Sequence, residues 1–210
     1  MGKSDNVRKF INVRKLTVTA ILSAIAAVLQ LLNFPVPFMP SFIQFDFSEF
    51  PALLASFAFG PVSGVTVCFI KNVIDLLTGG FSSTLGIGPL SNFLLGAAFT
   101  FTAGLIYKLN RTKKGAVTAA LIGALVMAAV SFPSNLWLVY PIYEVAFFTT
   151  DQIIAAYNVV IEPITNFRLT SLWQCLLFFN LPFTLLKALI SVILTMFTYK
   201  PLSVFLKGKG

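Results

Sequence analysis

The 210-residue chain has no histidine and only two cysteines, Cys68 and Cys175, each inside an apolar run with no ligand-like spacing around it. These absences argue against a disulfide framework, a zinc site and histidine-based catalysis. Charge is scarce as well: 10% of residues are charged and 57% hydrophobic, with mean hydropathy +0.89, whereas a soluble domain carries roughly 25% charged residues. The sequence also lacks a G-x-x-x-x-G-K-[ST] stretch to cradle nucleotide phosphates, paired metal-ligand acids, and any Ser, Cys and His constellation. It therefore reads as a non-enzymatic integral membrane protein with no metal and no resident cofactor. If it moves something uphill, the energy comes from elsewhere.

What the sequence does contain is a series of long apolar runs, at about residues 16–32, 47–59, 62–77, 91–109, 116–140 and 171–199. Crossing a hydrocarbon core of ~30 Å takes roughly 20 helical residues, so the second and third runs are short for independent spans. The basic residues settle how they are counted. Apart from Lys71, Arg168 and Lys187, every cation falls in one of three groups: Lys3, Arg8, Lys9, Arg14 and Lys15; Lys108, Arg111, Lys113 and Lys114; and Lys200, Lys207 and Lys209. Placing all three groups in the cytoplasm, as the positive-inside bias expects, requires an even number of spans between each pair. Residues 47–77 must then make two passes, broken at "FGPVSG", where proline lacks an amide donor and glycine tolerates unusual dihedrals. The expectation is an all-α, polytopic bundle of six transmembrane helices, one domain over residues 1–210. Both termini are cytoplasmic, and residues 1–15 form a basic tail ahead of a retained first span rather than a cleaved signal peptide.

The net charge of +8 accordingly reads as a topology signal, not as a nucleic-acid surface. The segments expected outside, residues 33–49, 78–89 and 141–170, hold Asp46, Glu49, Glu144, Asp151 and Glu162 against the single cation Arg168. They are rich in Phe, Pro and Ile, which suggests a cap folded back over the bundle, with an interfacial helix near residues 151–161. An inverted internal repeat of the kind that marks many secondary carriers is absent.

Few ionisable groups remain at membrane depth, and a cation at the centre of a membrane helix costs ~2.5–3.5 kcal/mol on insertion scales. Lys71 and Asp75 are four apart on one helical face, and a local pair between them is the preferred reading. Lys187, in "LPFTLLKALIS", has no acid within two turns of its own helix. Its partners are Asp46 or Glu49 from the first outer segment, with an acceptor on a bound molecule as the alternative. Thr184 shares a face with Lys187, and Asn135 in "SFPSNLWLVYPIY" is a buried amide that serves either an interhelical hydrogen bond or a ligand. A hydroxyl, an amide and an ammonium converging under an aromatic cap would suit a flat ligand with polar edges. Tyr140 and Tyr143 read first as an interfacial belt. Tyr140, Phe45 in the cap and Asn92 at the start of the fourth helix complete the candidate ligand contacts, beside Asn135, Thr184, Lys187 and Asp46. On the first helix, Ala20 and Ala24 form a small-xxx-small pair that allows close approach of another helix, either internal or from a partner.

Together, "FDFSEFPALLASFAFGPVSGVTVCFIKNVIDLL", the Ala20/Ala24 pair, "NLWLVYPIY" and "PFTLLKALIS" resemble the substrate-binding S components of energy-coupling-factor vitamin transporters, the riboflavin-specific group above all. The likeness runs from about residue 14 to 200. It implies a six-helix bundle in a prokaryotic cell membrane that captures riboflavin from outside with high affinity, with FMN and other flavins as further ligands to test. Import then requires a membrane coupling (T) subunit and two cytoplasmic ATPases. By motif position, Ala20 and Ala24 inherit the contact with the coupling subunit, residues 33–49 the role of a lid, and Asn135, Thr184 and Lys187 the polar contacts to the flavin ring. Riboflavin binders often carry Asn where this chain has Thr184, and a hydroxyl cannot present two amide donors. The competing readings are a self-sufficient carrier or channel for a small metabolite, an S component for another vitamin and, last, a membrane-embedded enzyme.

Overall fold

The computed structural model describes residues 3–40, 42–165 and 167–207, with side chains placed for residues 13–40, 42–163 and 167–199. Of the basic residues used for topology, Lys209 lies outside the described residues. Helix α1 spans Lys3–Leu31, so the segment expected as a tail is helical from its third residue. A short antiparallel ladder follows, β1 (Phe34–Pro35) with β2 (Gln44–Phe45), pairing Phe34 with Phe45 and Pro35 with Gln44. Then come α2 (Glu49–Phe59), α3 (Pro61–Asp75), α4 (Phe81–Thr84), α5 (Ile87–Leu109), α6 (Lys113–Ser134), α7 (Tyr140–Ala146), α8 (Thr150–Thr165), α9 (Leu172–Cys175) and α10 (Leu181–Lys207).

Each of the six expected apolar segments is mostly helical. Among the described residues, five stretches are long and apolar enough to cross a membrane: Val13–Leu31, Pro61–Thr84, Ile87–Leu109, Lys113–Ala146 and Leu172–Tyr199. Helix α2 is not, because its 11 residues cover only about 16 Å at 1.5 Å per residue. Its first residue, Glu49, is fully buried, and the chain reaches that depth through residues 33–48 rather than through helix. The break after α2 falls at Gly60, whose φ of 98° lies in the left-handed region that side chains avoid. Pro61 then opens α3, where its missing N–H is no loss. Four residues on, a Cβ on Gly64 would stand 2.7 Å from Ser56 Cβ and 2.9 Å from Thr100 Cβ. That glycine lets α2, α3 and α5 meet at backbone distance.

Small residues also build the interior. The buried face of α6 is Ala116, Ala119, Ala120, Ala124, Met127 and Ala128, packed with Phe99 and Ala103 of α5 and with Ala188 and Val192 of α10. In lipid there is little hydrophobic drive between helices, so close van der Waals packing over small side chains does this work.

Three π-helical turns interrupt the long helices, at Leu76–Gly80, Asn135–Val139 and Leu176–Asn180. Two of them run directly into a helix with proline at its second residue, Pro141 in α7 and Pro182 in α10. A proline cannot donate to the preceding turn, and a locally widened ladder accommodates it. As a result the fifth helical stretch runs past the boundary expected from hydropathy, to Ala146, whereas the third reaches Thr84 only across a kink at Gly79, whose backbone is not helical. The segment expected to carry an interfacial helix is helical, as α8. It turns Ile153, Tyr157 and Asn158 inward, spaced as one helical face requires.

Candidate functional site

The segment between α1 and α2 descends into one end of the bundle. Its aromatic residues anchor it: Phe45 packs on Phe47, Phe34 and Phe183 with ring centroids 5.1, 5.6 and 6.2 Å apart, and Phe42 meets Tyr157 of α8 edge-on at 5.9 Å. Beneath it lies a cavity of about 280 Å³, near the lower end of the ~300–1,000 Å³ usual for small-molecule sites. All three π-helical turns contribute to its wall, through Gly80, through Asn135 and Val139, and through Asn180.

The wall gathers six of the seven expected ligand contacts: Asp46, Asn92, Asn135, Tyr140, Thr184 and Lys187. Phe45 stands apart from them, buried beside Phe183, which itself lines the cavity. Lys187 donates to Asp46 Oδ2 at 2.8 Å and to Asn92 Oδ1 at 3.5 Å, and lies 3.3 Å from Glu49 Oε2. The ion pair expected between Lys187 and the acids of the first outer segment is thus present. Asp46 also accepts from the Ser48 backbone N–H at 2.8 Å and from the Ser48 hydroxyl. Burial alone would push the Asp46 carboxyl up, but the ammonium groups of Lys187 and Lys71 outweigh it and hold the carboxyl well below the usual carboxylate range.

The expected Lys71–Asp75 pair is not formed. Lys71 donates to Glu49 Oε1 at 2.9 Å and to the Ser48 hydroxyl, while Asp75 accepts from Gln30 Nε2 at 2.8 Å. The reason is the hairpin geometry. Glu49 and Lys71 are equally far along the chain from Gly60, so the antiparallel α2–α3 pair sets them opposite one another. Helical spacing alone could not reveal that.

Two further polar groups at the cavity were not singled out from sequence. Asn180, four residues before Thr184 and so on the same face of the helical stretch, brings a carboxamide to the wall where Thr184 brings only a hydroxyl. It accepts from the Tyr157 hydroxyl at 2.6 Å and donates to Tyr140 Oη at 3.3 Å, while the two phenols share a 2.6 Å hydrogen bond. Burial, reinforced by Tyr140, raises the Tyr157 phenol far above its ordinary pKa, so it stays protonated and able to donate. The other group is Gln30, an amide within the apolar run of α1, bonded to Asn72 and Asp75 of α3. An isolated amide in a membrane helix was the available signal for each.

Ala20 and Ala24 are not among the lining residues; they sit on an exposed strip of α1, with Ile21 and Val28 beside them, whereas Ala27 is buried. At the opposite end of the bundle, Lys15, Lys108 and Arg111 surround a second cavity next to Gly60 and Pro61.

Comparison with known proteins agrees with this architecture. Residues 14–199 match the family described as ECF transporter, substrate-specific component. The chain is 35% identical over 194 residues to the riboflavin transporter RibU of Staphylococcus aureus, covering 92% of this chain and 93% of that protein. It is 36% identical over 131 residues to the riboflavin transporter FmnP of Bacillus subtilis, covering 62% and 69%. A solved S component of a bacterial ECF transporter superposes with a TM-score of 0.69 at 33% identity, over 93% of this chain and 99% of the other. With its helical bundle and its cavity, the chain belongs to the substrate-specific components of ECF transporters, a family of multi-pass membrane transport proteins rather than enzymes.

Proposed function

We propose that this chain is the riboflavin-binding subunit of an ECF importer in a prokaryotic plasma membrane. In this reading both termini are cytoplasmic and the lid end faces outward. The observation that carries the reading is the 35% identity over 92% of the chain to a relative named as a riboflavin transporter. The cavity suits that ligand: Phe42, Phe183 and Met127 offer apolar surface for a tricyclic ring, while Asn135, Thr184, Lys187 and Asn92 offer polar groups for its heteroatom edge. Tyr140 and Asp46 complete the wall, with Phe45 backing Phe183 from behind. Purified from cells that make riboflavin, the protein is expected to be yellow and to release flavin on denaturation. Colourless protein that also fails to bind added riboflavin in calorimetry would defeat the assignment.

Uptake on this reading needs a membrane coupling subunit and two cytoplasmic ATPases, with the exposed Ala20/Ala24 strip of α1 as the docking face. Ala20→Leu combined with Ala24→Leu is expected to abolish uptake and subunit association while riboflavin affinity of the isolated protein stays within about twofold, since neither residue lines the cavity. Co-purification of an intact complex from the double variant refutes the docking face. Uptake into liposomes holding this chain alone would favour a self-sufficient carrier instead.

A further inference from the structure

The two ends of the bundle differ in how their cations are matched. At one end, Lys187 has the Asp46 carboxylate at 2.8 Å and Lys71 has Glu49 at 2.9 Å. At the other, a cavity of about 340 Å³ brings together Lys15 of α1, Lys108 in the last turn of α5 and Arg111 just past it. Among the described residues no acid lines this cavity, and none of the three cations is ion-paired. Along α1 the nearest acid, Asp5, lies ten residues from Lys15, about 15 Å at helical rise. A cation beside the last carbonyls of a helix complements the helix dipole, which suits Lys108 and Arg111. Lys15 sits well inside α1, away from either end of that helix, yet it lines the same cavity.

Phe57, Phe59 and Val62, at the α2–α3 turn, give the cavity apolar surface. Gly104 lets α5 close on that turn, since a Cβ there would stand 2.9 Å from Pro61 Cα. Leu16, Leu105 and Leu109 each directly follow a lining residue, and all three are exposed. Depth adds a further constraint. Lys15 and Gln30 are fifteen residues apart on α1, and Asn92 and Lys108 sixteen apart on α5, so the two cavities stand about 22–24 Å apart along the helices. That places them near opposite faces of a hydrocarbon core of ~30 Å. An occupant of the second must therefore answer three unmatched cations, lie against apolar surface and belong at a membrane boundary. An anionic phospholipid does all three, because its phosphate accepts charge-assisted hydrogen bonds from Lys and Arg while its chains cover exposed leucines. We infer that Lys15, Lys108 and Arg111 form a binding site for an anionic phospholipid, the headgroup phosphate among the three cations and the acyl chains along the exposed leucines. Bound there, the lipid ties α1 and the end of α5 to the α2–α3 turn. Neither the first cavity nor its ligand takes part.

Native mass spectrometry of the full-length protein, titrated in detergent with phosphatidylglycerol or with phosphatidylcholine of the same acyl chains, reads the site directly. The wild type is expected to retain phosphatidylglycerol about tenfold or more tightly than phosphatidylcholine. A single Lys or Arg beside an anionic lipid is worth roughly fivefold in affinity. Lys15→Gln combined with Arg111→Gln should therefore weaken phosphatidylglycerol by about tenfold or more and leave phosphatidylcholine within about twofold, the latter showing that the variant is folded. Lys113→Gln combined with Lys114→Gln removes the same charge from the start of α6, outside the lining, and should change phosphatidylglycerol by no more than about twofold. Equal retention of the two lipids by the wild type overturns the site, whatever the variants do. Equal losses in both double variants overturn it as well, because the preference then belongs to a diffuse basic surface, and so does an undiminished affinity in the cavity variant. Glycerol 3-phosphate supplies the phosphate without the chains. It should fail to displace phosphatidylglycerol from the wild type; displacement would overturn the lipid assignment and give the cavity to a soluble phosphate.

Discussion

Lys71 and Lys187 are ammonium groups in two different membrane-depth helices, and both reach the acids at the start of α2. Their surroundings differ. Lys71 and Glu49 are each 0% exposed in the side chain, sealed between α2 and α3. Lys187 and Asp46 are 8% and 6% exposed and both line the cavity. Lys71 thus has no route to anything but protein, while Lys187 stands where a bound molecule can compete with Asp46. Similar charges joined by one acidic cluster come to stand in different surroundings, one sealed in the α2–α3 hairpin and the other facing the cavity. Asp46 joins them, since Ser48 bonds both Asp46 and Lys71.

The sharpest way to break this comparison is to remove each lysine in turn. Lys71→Ala leaves Glu49 buried beside the hairpin without its close partner, and breaking a buried pair from one side costs about 3–5 kcal/mol. The expected outcome is a large fall in apparent Tm in detergent, the largest of the single substitutions considered. Lys187→Ala removes a group whose former partner Asp46 borders the cavity and can be hydrated there, so its fall in Tm should be distinctly smaller. Its main effect should be on riboflavin. Loss of a hydrogen bond from a charged group, worth about 1.5–3 kcal/mol, weakens binding roughly 10- to 100-fold by calorimetry. If Lys187→Ala destabilises the protein as much as Lys71→Ala and leaves riboflavin affinity unchanged, both lysines are structural and the distinction falls.

The same pair shows how far the sequence could be read. A lone cation in "LPFTLLKALIS" announced that Lys187 needs an acid, and Asp46 and Glu49 were the candidates because other membrane-depth acids are so few. Scarcity made that contact legible. Lys71 misled because an acid stood four residues away on its own helix, and local spacing carries no knowledge of which helix packs alongside. The break at Gly60 and the long apolar stretches were readable from dihedral preference and hydropathy, which are local properties. The Tyr140–Tyr157–Asn180 triad and the Gln30–Asn72–Asp75 network were not. Each joins residues far apart in the chain, and one of them depends on α8 docking against the segment between α1 and α2, where Phe42 meets Tyr157.

Asp46 offers a finer test, because its contribution should depend on pH in a known direction. Its carboxyl is held well below the usual range in the folded protein, against about 3.9 for an unfolded Asp. A depressed folded-state pKa means that the stabilisation is fully present above the unfolded value and is lost as pH falls through that value toward the folded one. At pH 7, Asp46→Asn should lower the apparent Tm of ligand-free protein, though less than Lys71→Ala, because Lys187 keeps Glu49 at 3.3 Å. As pH is lowered from 5 to 3 (a range set by the ~3.9 reference), the wild type should lose stability faster than the variant, so the two Tm curves converge. Saturating riboflavin adds the decisive arm. If the flavin draws Lys187 away from Asp46, the Tm difference between wild type and Asp46→Asn should shrink in its presence; a difference that persists undiminished would mean that Lys187 keeps its acid and meets the ligand, if at all, without letting go.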